Sequence, residues 1–341
     1  MILPRVPVVA VTGHLGAGKT SLLNHLLRAE GARIGVVVND FGTLNVDAAL
    51  VTGQIDEAAA ISGGCVWCLP DAGGLDEALE RLSHPRLRLD AIVVEASGAA
   101  DPVVLARLIR FSGAERVRPG GVVEVIDAVE HFTTVDTREA PPLRYRAATL
   151  AVIGKSDLLP PDERARTVER IRHRIRESNP RIPVLLARHG GIDPALVFDV
   201  AEHADPADQL PIAALLREEA HDHSPGHAHA QATSIALRGP VAPGALVDLL
   251  EDPPPGAYRI KGRVRVRTPR DDRGYVVNVV GRMLHIAALP EPPRDGELVA
   301  IGPMLDPVEA HRRLAAVLDA PSAAPDAAGL RRLRRHRRLS E

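Results

Sequence analysis

The chain is poor in cysteine and has no long apolar run, and each shortage excludes a class of protein. Two cysteines among 341 residues cannot form the disulfide framework typical of small secreted domains. No apolar run reaches the ~18–20 residues that span a bilayer. Because residues 1–6 lead directly into an apolar run, we expect no signal peptide. We therefore expect a cytoplasmic protein with no membrane association.

The charge balance shows no large excess of either sign. The formal net charge of −2, from 42 basic and 44 acidic residues, does not favour nucleic acid as a partner. Only three of the basic residues are lysines, Lys19, Lys155 and Lys261. Because a compact ammonium and a planar guanidinium are not interchangeable at a phosphate, these retained lysines are notable.

Short apolar runs alternate with helical patterns in the first part of the chain. The alternation favours an α/β domain over residues 1–205, with a mainly parallel sheet covered on both faces. The runs predicted as strands are 6–12, 33–38, 90–95, 120–127, 149–154 and 183–186. The segments predicted as helices are 20–27, 75–82 and 161–177.

The remainder of the chain divides into three segments. Residues 206–231, rich in proline and histidine, are typical of a linker. Residues 232–319 predict a small α+β domain, with strands at 233–237 and 259–267, a helix at 244–250 and a hairpin around Gly281. Residues 320–341 are expected to be a disordered basic tail, a solvated run in the first interpretation and a contact for an acidic partner or RNA in the second.

A complete phosphate-binding motif follows the first predicted strand. Residues 13–20 have the sequence GHLGAGKT, which matches G-x-x-x-x-G-K-[ST] between a strand and a helix. Such a loop directs backbone N–H groups at an anion, its lysine reaches the β- and γ-phosphates, and its threonine hydroxyl can hold Mg²⁺. The residues predicted to contact the nucleotide here are Gly13, His14, Gly16, Ala17, Gly18, Lys19, Thr20 and Ser21.

A triphosphate site also needs a second carboxylate near the metal ion. Glu95 ends the predicted strand 90–95, and we expect it to hold Mg²⁺ together with Thr20. Gly98, just beyond it, could offer its N–H to the γ-phosphate and sense hydrolysis. The alternative is a solvated glutamate at the end of a strand.

The segment GKSD at residues 154–157 follows another predicted strand and is the candidate base site. Guanine-specific GTPases carry N-K-x-D at this place, where the aspartate accepts hydrogen bonds from guanine and the lysine stem packs over the ring. Lys155 and Asp157 are present, whereas Gly154 replaces the asparagine. The pattern favours GTP, with relaxed specificity left open.

These motifs together resemble the CobW-like GTPases, GTP-dependent metallochaperones related to the GTPases that insert nickel into urease and hydrogenase. The resemblance covers nearly the whole chain, and it implies a P-loop NTPase domain followed by a CobW C-terminal-like α+β domain. The segments that carry it are the phosphate loop, EASGAADP at 95–102, VNDFG at 38–42 followed by Asp47, SGGCVWC at 62–68, the histidine-rich linker and RIKG at 259–262.

Two departures from the family's sequence motifs concern the candidate ligands of a transition metal ion. The family motif G-G-C-x-C-C has three cysteines, but Trp67 stands at the middle one, which leaves Cys65 and Cys68 as a C-x-x-C pair. Asp40 replaces the glutamate of the family's N-E-x-G segment and is, by that analogy, a third ligand. Two thiolates and an oxygen suit Zn²⁺ or Co²⁺. The alternative is a relic or a redox pair.

The linker provides a second candidate for metal binding. Its histidines could collect a transition metal ion weakly and pass it on, or they could be solvated residues with no such role. The residues concerned are His221, His223, His227 and His229.

The resemblance implies a GTPase that controls the binding and transfer of zinc or cobalt to a client metalloprotein. Lys19, Glu95 and Asp40 are its candidate catalytic residues, and a homodimer is left open. Two alternatives remain: a P-loop small-molecule kinase, and a nucleotide-gated chaperone of a cofactor-dependent enzyme with no metal of its own.

Overall fold

Two β-sheets with flanking helices make up the computed structural model, which describes residues 5–29, 32–38, 58–60, 73–98, 100–198, 230–319 and 326–340. Strands β1 to β7 of the first sheet span Val6–Gly13, Ile34–Val38, Ala58–Ala60, Ala91–Glu95, Val117–Asp127, Leu150–Gly154 and Val184–Leu186. Helices α1 to α5 span Lys19–Leu26, Gly73–Leu82, Pro102–Arg110, Arg144–Ala147 and Pro161–Ser178. Short 3₁₀ or π-helical turns span Pro85–Leu87, His131–Val135, Ser156–Leu158 and Pro194–Leu196.

The first sheet has seven strands in the order β3-β2-β4-β1-β5-β6-β7, and every neighbouring pair is parallel. Its central strands are runs of valine, isoleucine and alanine because both faces are covered. Strand β1 lies between β4 and β5, so the loop that follows β1 emerges between the carboxyl ends of both. The predicted α/β class with a parallel sheet is confirmed.

The second sheet is antiparallel, with the order β11-β10-β9-β12-β8. Its strands β8 to β12 span Gln231–Leu237, Arg259–Val266, Arg273–Val280, Met283–Ala288 and Gly296–Gly302. Helices α6 to α8 span Pro243–Glu251, Pro307–Asp319 and Ala327–Ser340. The predicted α+β domain is thus present, and β8 begins at Gln231, two residues before the predicted start of this strand at 233.

Six elements were not predicted from the sequence: β3, α3, α4, β12, α7 and α8. Helix α3 begins at Pro102, with the Asp101 carboxylate accepting the Val103 N–H at 2.8 Å. An aspartate followed by proline is a recognisable helix start, and that signal was available. Strand β12 lies between two glycines and alternates only briefly, which gives a weak pattern.

The expectation of a disordered tail at 320–341 is wrong for residues 327–340, which form helix α8. Leu330 and Leu333 are buried, and Leu333 packs into the core of the second domain. Asp326 caps the helix by accepting the Gly329 N–H at 2.8 Å and also accepts the Gly244 N–H at 2.7 Å. The density of arginine concealed two leucines at helical spacing, and arginine is itself a good helix former.

The two domains meet at the amino ends of β5 and β6. The hydroxyls of Thr149, just before β6, and Tyr258 share a hydrogen bond of 2.9 Å. Arg118 on β5 donates to the Asn278 side chain at 3.3 Å. The second domain therefore contacts the first away from the edge where the strands of the parallel sheet end.

No described helix combines the length and apolarity that a bilayer span requires. The predicted linker, apart from residues 230 and 231, lies outside the described residues.

Replacing Leu333 with alanine tests the packing of helix α8. Leu333 is fully buried, so the variant should lose about 2–5 kcal/mol of unfolding free energy. Leu339→Ala on the same helix is the control, because Leu339 is 62% exposed and its truncation should cost less than about 0.5 kcal/mol. Urea unfolding of both variants provides the comparison, and equal midpoints would contradict the packing described.

Candidate nucleotide site

The loop between β1 and α1 forms a ring of backbone around the Lys19 ammonium. Gly13, Gly16 and Gly18 have φ angles of +152°, +76° and +99°, which side-chain-bearing residues rarely adopt. The buried Lys19 directs its ammonium back into the ring, where Nζ lies 3.2 Å from the Gly13 carbonyl oxygen and 3.3 Å from that of His14. A loop of this shape at a helix N-terminus can bind phosphate groups.

The metal-binding pair predicted from the sequence is brought together. The Thr20 hydroxyl donates to Glu95 Oε1 at 2.9 Å, and Glu95 is buried at the end of β4, beside β1. A hydroxyl and a carboxylate are the hard oxygen donors that suit Mg²⁺. The residues present therefore fit that ion.

Gly98 lies directly against the phosphate loop. A Cβ atom built on Gly98 would lie 2.5 Å from the Leu15 nitrogen and 2.7 Å from its Cα. These distances leave no room for any side chain. The loop that follows β4 therefore contacts the phosphate loop backbone to backbone, and a displacement of one requires a displacement of the other.

The GKSD segment follows β6 on the same edge of the sheet. Lys155 adopts a left-handed conformation, and its Nζ lies 2.6 Å from Asp127 Oδ2 at the end of β5. A Cβ on Gly154 would lie 3.9 Å from the Ala17 carbonyl oxygen, which is ordinary contact. The base loop and the phosphate loop are therefore close enough for a side chain at 154 to bridge them. Asp157 lies in the turn Ser156–Leu158.

Glu124 is a site residue that the sequence analysis missed. It is buried on β5, where it accepts a hydrogen bond of 2.6 Å from the Thr12 hydroxyl and pairs with Arg144 Nε at 2.5 Å. Burial raises the pKa of Glu124 through desolvation, and the charges of Arg144 and Lys19 and the Thr12 hydrogen bond oppose that rise. A glutamate within an otherwise apolar strand, GGVVEVID, was the available signal.

A cavity of about 280 Å³ opens between the phosphate loop and the turn His131–Val135. Glu124, Asp127 and Lys155 also line it, so it joins the phosphate loop to the base loop. His131 at its edge is buried and shares a hydrogen bond of 2.7 Å with the Tyr145 hydroxyl. Desolvation lowers the pKa of His131 from near 6.5 to about 4, so its imidazole is neutral at pH 7.

The edge formed by the carboxyl ends of the parallel strands thus holds one group of the predicted residues: the phosphate loop with Ser21, Glu95, Gly98, Lys155 and Asp157. The candidate transition-metal ligands all lie outside the described residues; they are Asp40, Cys65, Cys68, His221, His223, His227 and His229. Within the described ranges, no three histidine, cysteine or acidic residues form a cluster that could hold a metal ion.

Comparison with known families assigns both domains. Residues 7–185 match the family model described as the CobW/HypB/UreG nucleotide-binding domain. Residues 230–318 match the cobalamin synthesis protein CobW C-terminal domain. The two matches coincide with the two sheets.

Three curated relatives are similar to this chain. The zinc chaperone YjiA of Escherichia coli is 30% identical over 203 residues, 57% of this chain and 61% of that protein. The zinc chaperone CobW of a Sinorhizobium species is 27% identical over 282 residues, 72% of this chain and 77% of that protein. The zinc-regulated GTPase metalloprotein activator 1 of Schizosaccharomyces pombe is 34% identical over 167 residues, 46% of this chain and 40% of that protein. The first and third matches thus span less than two thirds of those relatives.

Gly98→Ala tests the contact between the two loops. The added methyl group must displace the backbone at Leu15, a strain of about 1–3 kcal/mol, so a non-hydrolysable GTP analogue should bind about 5- to 150-fold more weakly. Gly154→Ala is the control, since its new Cβ meets nothing closer than 3.9 Å. Isothermal titration measures both affinities. Equal affinities in the two variants would show that the contact does not shape the site.

His131→Gln tests the buried imidazole. As the pH falls, His131 binds a proton in the unfolded chain at a higher pH than it does in the folded chain. The contribution of the buried neutral imidazole to the unfolding free energy is therefore complete above about pH 6.5 and declines towards pH 4. Between pH 7 and pH 5 the unfolding free energy of the wild type should fall by about 2 kcal/mol more than that of H131Q. His173→Gln is the control, because the His173 side chain is 72% exposed. Unfolding free energies at pH 7 and pH 5 decide the matter, and parallel losses in wild type and H131Q would refute it.

Proposed function

The chain belongs to the CobW/HypB/UreG family, and we propose that it is a GTP-dependent metallochaperone. In this proposal it binds and hydrolyses GTP to control the binding and transfer of a transition metal ion to a client metalloprotein. One observation carries the proposal: the ammonium of Lys19 lies inside a complete phosphate loop, next to the Thr20–Glu95 pair. The relatives named zinc chaperones support zinc as the cargo, with cobalt as the alternative.

The residues of the loop would perform the phosphate chemistry. Hydrolysis adds water to the γ-phosphorus and releases GDP and phosphate, so it depends mainly on positioning and on charge stabilisation. Lys19 would exchange its two carbonyl contacts for oxygens of the β- and γ-phosphates, while the loop N–H groups bind the remaining oxygens. Thr20 and Glu95 would hold Mg²⁺, which supplies positive charge to the phosphates when it is bound. Asp40 completes the proposed catalytic set.

The base loop would select guanine. We assign Asp157 to accept hydrogen bonds from the guanine edge and the Lys155 stem to pack on the ring. The Lys155–Asp127 contact of 2.6 Å supports the assignment, because it fixes the ammonium end and leaves the aliphatic stem to line the site. Without a side chain at Gly154, this loop has no tie to the phosphate loop at that residue.

Nucleotide state would control metal affinity through the loops beyond the phosphate loop. The γ-phosphate would order the segment 39–47 together with Cys65 and Cys68, and hydrolysis would release both. The close contact of Gly98 with Leu15 supports such coupling, because it transmits a change in one loop to the next. Coupling of this kind is reciprocal, so metal must change GTP affinity by the same factor as GTP changes metal affinity.

A zinc titration in the two nucleotide states tests the proposal. With a non-hydrolysable GTP analogue and Mg²⁺ bound, Zn²⁺ affinity should exceed that of the GDP form by about 5- to 150-fold. Cys65→Ser with Cys68→Ser should abolish the difference, since thiolates dominate the proposed ligand set. Equal zinc affinity in the two nucleotide states would overturn the switch.

Two controls identify the site and the reaction. Replacing the four linker histidines with asparagine should remove weak zinc binding and leave the nucleotide-dependent difference intact. The changes are His221→Asn, His223→Asn, His227→Asn and His229→Asn. Release of free phosphate from GTP without any added acceptor distinguishes the GTPase from a small-molecule kinase. A protein that keeps full chaperone activity without either cysteine would instead be a nucleotide-gated chaperone with no metal of its own.

A further inference from the structure

Helix α8 lies outside both family matches, which end at residues 185 and 318. The nucleotide and metal chemistry of the family therefore gives no account of it. Its sequence, AAGLRRLRRHRRLS, contains six arginines and no acidic residue. An ordered helix of this composition, fixed to the second domain, calls for a separate explanation.

One face of α8 is used to dock on helix α6. Leu333 packs into the core of the second domain, and Leu330 is also buried. Arg332 donates to Asp248 at 2.7 Å and to Glu251 at 2.5 Å, and His336 lies 2.7 Å from the same Glu251 carboxylate. This face is satisfied by apolar packing and by charge pairing within the chain.

The outward face carries an arginine stripe made of Arg331, Arg334, Arg335 and Arg338. The spacing i, i+3, i+4, i+7 places all four side chains on one side of a helix, and all four are exposed. None of them forms an ion pair or hydrogen bond with another residue in the part of the chain that the structure describes. Neighbouring like charges on a helix repel each other, so the stripe is a cost to the isolated protein.

A rigid row of guanidinium groups is suited to carboxylates. Each planar guanidinium can bind a carboxylate through two parallel hydrogen bonds, and the docked backbone reduces the ordering cost of binding. We propose that the arginine stripe is a docking surface for an acidic segment, rich in aspartate or glutamate, of a partner protein.

The surroundings of the stripe favour a short acidic segment over nucleic acid. The stripe is only about 10 Å long, at 1.5 Å per residue. Because the chain has a net charge of −2 even with these six arginines, its remainder is acidic and repels a long polyanion.

A membrane surface fits the stripe less well. An interfacial helix must insert its apolar face among the lipids, but Leu330 and Leu333 on that face are buried within the protein. Of the three leucines of α8 only Leu339 is exposed, so the surface that the helix offers to a partner is mainly the charged one.

Binding of a fluorescent ten-residue glutamate peptide to the full-length protein tests the proposal, with anisotropy as the readout. The stripe variant R331Q/R334Q/R335Q/R338Q should bind at least about tenfold more weakly, since several exposed ion pairs are lost together. The double variant R335Q/R338Q should be intermediate. Glutamine is a good helix former and all four positions are exposed, so the variant should unfold at the wild-type temperature or slightly above it, because like-charge repulsion is removed.

The control removes the same charge from scattered sites. R181Q/R270Q/R282Q/R294Q changes four exposed arginines that lie outside α8, and it should bind the peptide within about twofold of the wild type because net charge alone gives no specific contact. Equal weakening in control and stripe variants would overturn the proposal, as would equal binding by wild type and stripe variant. A ten-nucleotide RNA that binds through the stripe more tightly than the peptide would also overturn it and identify a nucleic acid surface instead.

Discussion

The ammonium group of Lys19 is held by two carbonyl oxygens of the loop that surrounds it, and the site is organised around that contact. A buried cation is stable only with polar partners, and carbonyl dipoles are weaker partners than phosphate oxygens. The loop can hold its cation in this way because three of its residues are glycines with positive φ. The Lys19 ammonium can therefore exchange these carbonyl oxygens for those of an anion.

Negative charge lies on both sides of that cation. Glu95 ends β4 on one side of β1, and Glu124 lies on β5 on the other. Each carboxylate is tied to a hydroxyl of the β1–α1 unit, Glu95 to Thr20 and Glu124 to Thr12. The strand order alone produces this symmetry, because β1 is inserted between β4 and β5. Arg144 offsets the charge of the Glu124 carboxylate. Glu95 therefore remains as the carboxylate that is proposed to hold the metal ion.

The sequence predicts most of this arrangement because the relevant signals are local. The phosphate loop, the strand ending at Glu95 and the GKSD segment each combine a buried run with a turn, and parallel strands bring their ends to one edge. Glu124 and Arg144 could not be paired in advance, since they are twenty positions apart in the chain and the turn His131–Val135 lies between them. Helix α8 could not be predicted for a different reason: six arginines surround its two buried leucines, and this basic composition is typical of a solvated tail.

The nucleotide site and the contact with the second domain lie at opposite ends of the parallel sheet. The nucleotide site lies where the strands end, whereas Tyr258 and Asn278 attach the second domain where they begin. Contacts of the second domain with a partner can thus form without obstructing the phosphate loop.

The most direct test of the account is the affinity of a non-hydrolysable GTP analogue, with Mg²⁺, for the wild type and for Lys19→Ala, measured by isothermal titration. A charged hydrogen bond contributes about 1.5–3 kcal/mol, so the variant should bind at least about tenfold more weakly. Undiminished binding by Lys19→Ala would contradict the claim that the phosphates are held at this ammonium.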